Sequence, residues 1–120
     1  MPSRHDPAGC LRDILDNIGR IEGYRGDLGR TELEANGQAR DAIERCLERI
    51  AEAAFRLGDR AAELMPGQSW PDIRGLGNWL RHAYDRIRFE VIWETVQNDL
   101  PALKADVLGA LARLPDKPAG

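Results

Sequence analysis

Apolar residues in this chain return every three or four positions in four separate blocks, and nowhere alternate with polar ones. Leu11, Ile14, Leu15, Ile18 and Ile21, with Tyr24 one step further, form the first block. Ile43, Leu47, Ile50, Ala54 and Leu57 form the second, and Ile73, Leu76, Leu80, Ala83 and Ile87 the third. Phe89, Ile92, Val96, Leu100, Leu103, Val107 and Leu111 form the last. That period is the signature of helices that each bury one stripe, and it leaves no room for a sheet. The expected fold is therefore all-α: a four-helix up-and-down bundle with short connections, a short extra helical segment and a kinked last helix.

Punctuation sets the boundaries. Residues 1–7, ending in Asp6 and Pro7, read as a frayed leader, and residues 115–120 as a frayed tail. The first helix stops near Gly26. Thr31 and Glu34 make a capping-box pattern for a short turn of helix, which Asn36 and Gly37 interrupt. The second long helix runs from about Gln38 to Leu57, with Gly58 placed to end it, and a brief segment leads through Leu64 to the loop Met65, Pro66, Gly67. Ser69, Pro71 and Asp72 supply a hydroxyl cap, an early proline and a first-turn acid for the third helix. A break is expected between Asp85 and Phe89, since an unbroken helix from Trp70 to Leu114 would far exceed the usual length. Pro101 falls inside the last helix, where its ring and missing N–H should kink the axis.

At 120 residues the chain is read as one domain, 1–120, with a core of modest size. Its 42% hydrophobic and 31% charged residues exclude a largely disordered chain. A net charge of -3 excludes a generic polyanion binder, so any nucleic-acid contact has to be local. Locally the balance reverses: between residues 74 and 88 stand Arg74, Arg81, Arg86 and Arg88 against Asp85 alone. No apolar run approaches a membrane span and no leader-like apolar segment is seen, which predicts a cytoplasmic protein. Cys10 and Cys46 lack the paired spacing of a zinc site and are read as small buried residues; His5 is read as bland. No metal or cofactor is expected. Glu44, Glu48 and Glu52 recur every four residues, but no Glu-x-x-His accompanies them, so a di-metal carboxylate site is not indicated.

The stretch from Ser69 to Trp93 holds what chemistry the chain offers. Asn78, Arg81, His82 and Asp85 share the polar side of the third helix. Read blandly, they are a solvated surface, with Trp70, Trp79 and Trp93 as packing anchors, Tyr84 as a cap on the core and Arg86 and Arg88 as a solvated corner. Trp79 stands apart, beside Asn78 and flanking the apolar stripe, where a dimer contact would bury it.

The run DIRGLGNWLRHAY followed by EVIWETVQNDLPALKADV resembles the signature of HepT-like proteins, in the HEPN group of small helical ribonuclease toxins. The likeness extends to LRDILDNIGRIEGY and RDAIERCLERIAEAAFRL and so covers nearly all of the chain. It implies a homodimer whose facing third helices build a metal-independent RNase site from an arginine, a histidine and a tyrosine in the pattern RX4HXY. It also implies a toxin-antitoxin partner, a minimal nucleotidyltransferase that inactivates the toxin by adding AMP to the motif tyrosine. By position, His82 matches the histidine, Tyr84 the AMP-accepting tyrosine and Asn78 the residue after the arginine. Where the arginine belongs stands Gly77. Either the chain is an impaired homologue that persists as a dimeric binding partner and AMP acceptor, or Arg81 supplies the missing charge beside His82. Arg74, Arg86 and Arg88 are the expected RNA contacts.

Overall fold

A computed structural model describes residues 6–115. Helix α1 (Pro7–Arg25) is followed by the short α2 (Arg30–Ala35), the long α3 (Gly37–Leu57), the short α4 (Arg60–Leu64) and α5 (Trp70–His82). Then α6 (Asp85–Glu94) continues through a π turn (Thr95–Asp99) into α7 (Leu100–Arg113). Among the described residues there is no strand. The four long rods are thus α1, α3, α5 and the α6–α7 run, which is the all-α bundle that the periodicity predicts.

The core forms where the stripes meet. Leu11, Ile14, Ile18 and Ile21 of α1 face Ile43, Leu47, Ile50 and Leu57 of α3, and all eight are buried. Each such side chain contributes about 1.5–3 kcal/mol of burial before the entropy cost of ordering it. Phe89, Ile92, Leu103 and Val107 bring the α6–α7 rod onto the same core. Helix α5 packs mainly on α3. Cys10 and Cys46 are buried, as expected of small apolar residues, and burial pushes both thiols up.

Helix ends follow local chemistry, with four departures from expectation. Gly26 and Gly58 take φ of 50° and 56°, and their N–H groups close onto Glu22 and Ala54 carbonyls, as the glycine stops predict. Asn36 caps α3 by accepting from the Ala39 N–H. The Thr31–Glu34 cap is not formed: α2 begins one residue before Thr31, and Glu32 accepts from the Gly29 N–H instead. Ser69 does precede α5, but its hydroxyl donates to the Asp72 carboxylate at 2.7 Å, because an acid three residues on is a stronger acceptor than its own role as one. Outside those four, Pro7 is the first residue of α1 and not part of a frayed leader; residues 1–5, with His5, and 116–120 lie outside the described residues.

The third departure concerns the break after α5, which falls at Ala83 and Tyr84, ahead of Asp85. Ala83 and Ile87 therefore leave the predicted stripe, and Ile87 is exposed. No glycine or proline makes this break. Arg88 holds it, its Nε donating to the Leu80 carbonyl at 3.0 Å and its Nη2 to the Ala83 carbonyl at 3.1 Å. Arg40 of α3 pairs with Asp85 at 3.1 Å and stacks on Phe89, while Arg30 of α2 pairs with Glu90, so the start of α6 is clamped from two other helices. The fourth concerns Pro101, whose irregularity is taken up one turn upstream. The Leu100 N–H reaches the Thr95 carbonyl, a π-type bond that widens the turn the ring must clear.

Candidate active site

The last turn of α5 and the extended pair Ala83–Tyr84 present the predicted site. His82 is exposed, and its Nδ1 lies 2.9 Å from the Asn78 carbonyl oxygen one turn earlier. A carbonyl can only accept, so Nδ1 is the donor in this contact and Nε2 is the nitrogen left for other partners. The ring is thereby oriented by its own helix. Tyr84, just past the helix end, is 82% exposed and caps nothing.

Asn78, His82 and Tyr84 line one concavity of about 270 Å3 together with Trp79, Ala83 and Ile87. Sequence reasoning had placed Ile87 in the core; only the break at Ala83 turns it outward, and no local residue signals that break. None of the arginines lines this hollow. Gly77 is buried against α3, and a Cβ built there would stand 3.7 Å from Cα and Cγ of Glu48 and 3.8 Å from Nη1 of Arg81. The Arg81 guanidinium therefore reaches back beside the position where a motif arginine would begin. Among the described residues Arg74, Arg81 and Arg86 make no hydrogen bond or ion pair. Arg88 is different: besides its two carbonyl bonds it faces Glu44 at 3.8 Å and is turned to the protein. Glu44 is pushed up by burial, against the opposing pull of the Arg88 charge.

The charge arithmetic of this corner is thus altered by folding. Asp85, the acid among the four arginines, is neutralised by Arg40, and Arg88 is spent on α5. Arg74, Arg81 and Arg86 are left uncommitted, and Arg81 directly precedes the oriented, exposed imidazole. A larger groove of about 520 Å3 opens between α5 and α6–α7, floored by Leu47 and Ile50, and contains none of the predicted site residues. Among the described residues no three His, Cys, Asp or Glu side chains gather as a metal-binding set, and no helix is long and apolar enough to cross a membrane.

Relatives match this sequence over most of its length. A Methanocaldococcus jannaschii protein whose name gives it as a candidate RNase is 31% identical over 105 residues, covering 88% of this chain and 96% of its own. A second protein of that organism, named in the same way, is 28% identical over 117 residues, covering 98% of this chain and 100% of its own. A Thermococcus cleftensis protein named as a probable ribonuclease HepT is 30% identical over 94 residues, 78% of this chain and 86% of its own. No solved structure matches the chain. The family model described as Ribonuclease HepT-like matches residues 14–108, from the middle of α1 to α7 and across the whole site. The chain belongs to the HepT-like ribonuclease family.

Proposed function

We propose that this chain is a metal-independent endoribonuclease of the HEPN type, a single domain acting as a homodimer, with His82 as its general base and Arg81 as its charge-stabilising group. The observation that carries this reading is the exposed His82 imidazole, fixed through Nδ1 with Nε2 open, in the same helical turn as an uncommitted Arg81 that folds back beside Gly77. Nε2 takes the proton of an RNA 2'-hydroxyl, and the 2'-oxygen bonds to phosphorus. The bond from phosphorus to the 5'-oxygen breaks, and that oxygen leaves with a proton from solvent, giving a 2',3'-cyclic phosphate and a 5'-hydroxyl. Such a base contributes about 10²–10⁴-fold. Arg81 offsets the charge that builds on the phosphate oxygens, and Asn78 holds the ring through its carbonyl.

The same site suits the toxin of a toxin-antitoxin pair. Tyr84 is open enough to be modified. Its hydroxyl gives its proton to a base of a partner nucleotidyltransferase as the oxygen attacks the α-phosphorus of ATP there, pyrophosphate leaves, and AMP is joined to the ring oxygen. That adduct places negative charge at the edge of the His82 hollow and repels the RNA backbone.

The test is cleavage of RNA by the purified dimer in EDTA, with cyclic phosphate ends, and its loss in His82→Ala. A dimer that leaves both structured and unstructured RNA intact sinks the reading. Gly77 favours a second one, an impaired homologue that binds the nucleotidyltransferase and accepts AMP without cutting RNA. It predicts a mass increase that disappears in Tyr84→Phe, no cleavage by the parent chain, and a large gain of cleavage in Gly77→Arg.

A further inference from the structure

The last turn of α5, which carries the His82 imidazole, is closed from outside the helix. Gly26 and Gly58 end α1 and α3 in the positive-φ conformation that turns their own N–H groups back onto the helix. Ala83 follows α5 at φ -81° and ψ 149°, extended backbone, so the last carbonyls of α5 need another donor. Arg88 supplies it. Its Nε donates to the Leu80 carbonyl at 3.0 Å, its Nη2 to the Ala83 carbonyl at 3.1 Å, and its backbone N–H to the Tyr84 carbonyl at 2.8 Å. In sequence these bonds bracket His82 on one side and Tyr84 on the other. Glu44 of α3 stands behind the guanidinium at 3.8 Å, and the two side chains are only 30% and 20% exposed, so solvent screens their attraction little.

We infer that Arg88 is a positioning residue for the α5 site: its guanidinium, braced by Glu44, keeps the last turn of α5 wound and so keeps the His82 imidazole aimed through Nδ1. The inference rests on the ribonuclease reading of that site and adds a residue that acts through the backbone and not on the substrate. The ring is held only as well as the turn beneath it, since its partner is the Asn78 carbonyl four residues back. Helix ends fray when their carbonyls lack donors, and a frayed turn separates Nδ1 from that carbonyl. Arginine alone among side chains fits the task. Its planar fork sets Nε and Nη2 at a fixed spacing along one edge, which meets two carbonyls at once, whereas lysine offers one freely rotating nitrogen. Every member of the clamp belongs to one chain, on α3, α6 and the end of α5, and none depends on a second copy.

The experiment uses the whole chain, isotope-labelled, and reads by NMR which ring nitrogen of His82 carries the proton in alkaline buffer, where an imidazole is neutral. In the parent the proton should sit on Nδ1, the donor to Asn78. In Arg88→Lys it should move to Nε2, the form that a free histidine side chain prefers in water. Single-turnover cleavage should slow by up to about 10²-fold in that variant, while affinity for an uncleavable 2'-O-methyl strand stays that of the parent. Glu44→Gln, which keeps the fork and removes its brace, should shift both quantities the same way by less. Trp70→Phe removes a hydrogen bond at the start of α5 and should change neither, which separates aim from stability. A proton still on Nδ1 in Arg88→Lys, a parent ring already protonated at Nε2, an equal shift in Trp70→Phe, or an affinity that falls in step with the rate would overturn the inference. Should Arg88→Lys fail to fold, Glu44→Gln decides, and an unshifted ring there overturns it. The tautomer is read without RNA, so these outcomes are separate from failure of the ribonuclease reading, which shows as intact ordinary RNA.

Discussion

Arg81 and Gly77 form one local unit: the guanidinium lies 3.8 Å from where a glycine Cβ would be, above the backbone of Glu48 on α3. All three contacts of that Cβ are ordinary van der Waals distances. Alanine therefore fits, and glycine costs about 1 kcal/mol relative to alanine inside a helix. We expect Gly77→Ala to raise stability by about 0.5–1 kcal/mol, read as a higher urea midpoint at unchanged slope. A lower midpoint would show that α3 and α5 need a bare backbone here.

The same pair fixes the expectation for activity. With Arg81 supplying the charge, Arg81→Ala should slow single-turnover cleavage about 10²–10³-fold, the size of a lost oxyanion donor. Gly77→Arg alone should gain little, because its stem would share space with the Arg81 guanidinium. In the Arg81→Ala background the same substitution should restore most of the rate. A large gain from Gly77→Arg alone, with Arg81→Ala silent, would instead support the impaired homologue.

Much of this was legible in the sequence, and what was not has a common cause. The stripes on α1, α3 and α7, the glycine stops at Gly26 and Gly58 and the placement of His82 and Tyr84 all depend on residues a few positions apart. The break at Ala83 depends instead on side chains that bond backbone carbonyls and a distant helix, which no apolar period records. It is held by Arg88 reaching back to Leu80 and Ala83, and by Arg40, whose partner Asp85 is 45 residues away. A local pattern carries no trace of such a bond, so Ile87 was read into the core and Arg88 onto the surface. Ser69 shows the converse limit, since the right residue type stood at the cap with a different partner.

Arg88 also sets a pH dependence. Replacing it with methionine removes two charge-assisted bonds to the end of α5 and should cost about 1–2 kcal/mol. Glu44 is already raised by burial, so its neutral form is the one the fold favours. Its contribution is full below the unfolded pKa and is lost as pH rises through the folded one. Without Arg88 the Glu44 pKa moves further up. The stability of Arg88→Met should thus fall more steeply than that of the parent as pH rises above the ordinary glutamate range, in urea titrations across pH. Adding Glu44→Gln should flatten the difference.

Trp70 is the packing anchor of α5, and its two contributions can be separated. Trp70→Phe keeps an aromatic ring but leaves the Met65 carbonyl without its donor, an expected loss of about 1–3 kcal/mol. Trp70→Ala adds a cavity and should cost about 3–5 kcal/mol. Thermal unfolding of both variants measures the gap between them. A Phe variant as stable as the parent would mean that water replaces the indole N–H.

The division of the arginines makes a prediction about salt. Log affinity for single-stranded RNA falls with log salt by about 0.7 for each phosphate neutralised. Arg74, Arg81 and Arg86 hold uncommitted charge on α5 and the start of α6, so each changed to alanine should reduce that slope by about 0.7 and weaken binding at low salt. Arg88 spends its guanidinium on the Leu80 and Ala83 carbonyls and faces Glu44, so Arg88→Met should leave the slope as it was. Binding of a single-stranded 2'-O-methyl RNA, which has no 2'-hydroxyl to attack, over a range of potassium chloride concentrations distinguishes the two groups. A slope that drops with Arg88→Met but not with Arg74→Ala would move the RNA path from the His82 hollow to the far side of the α5–α6 break.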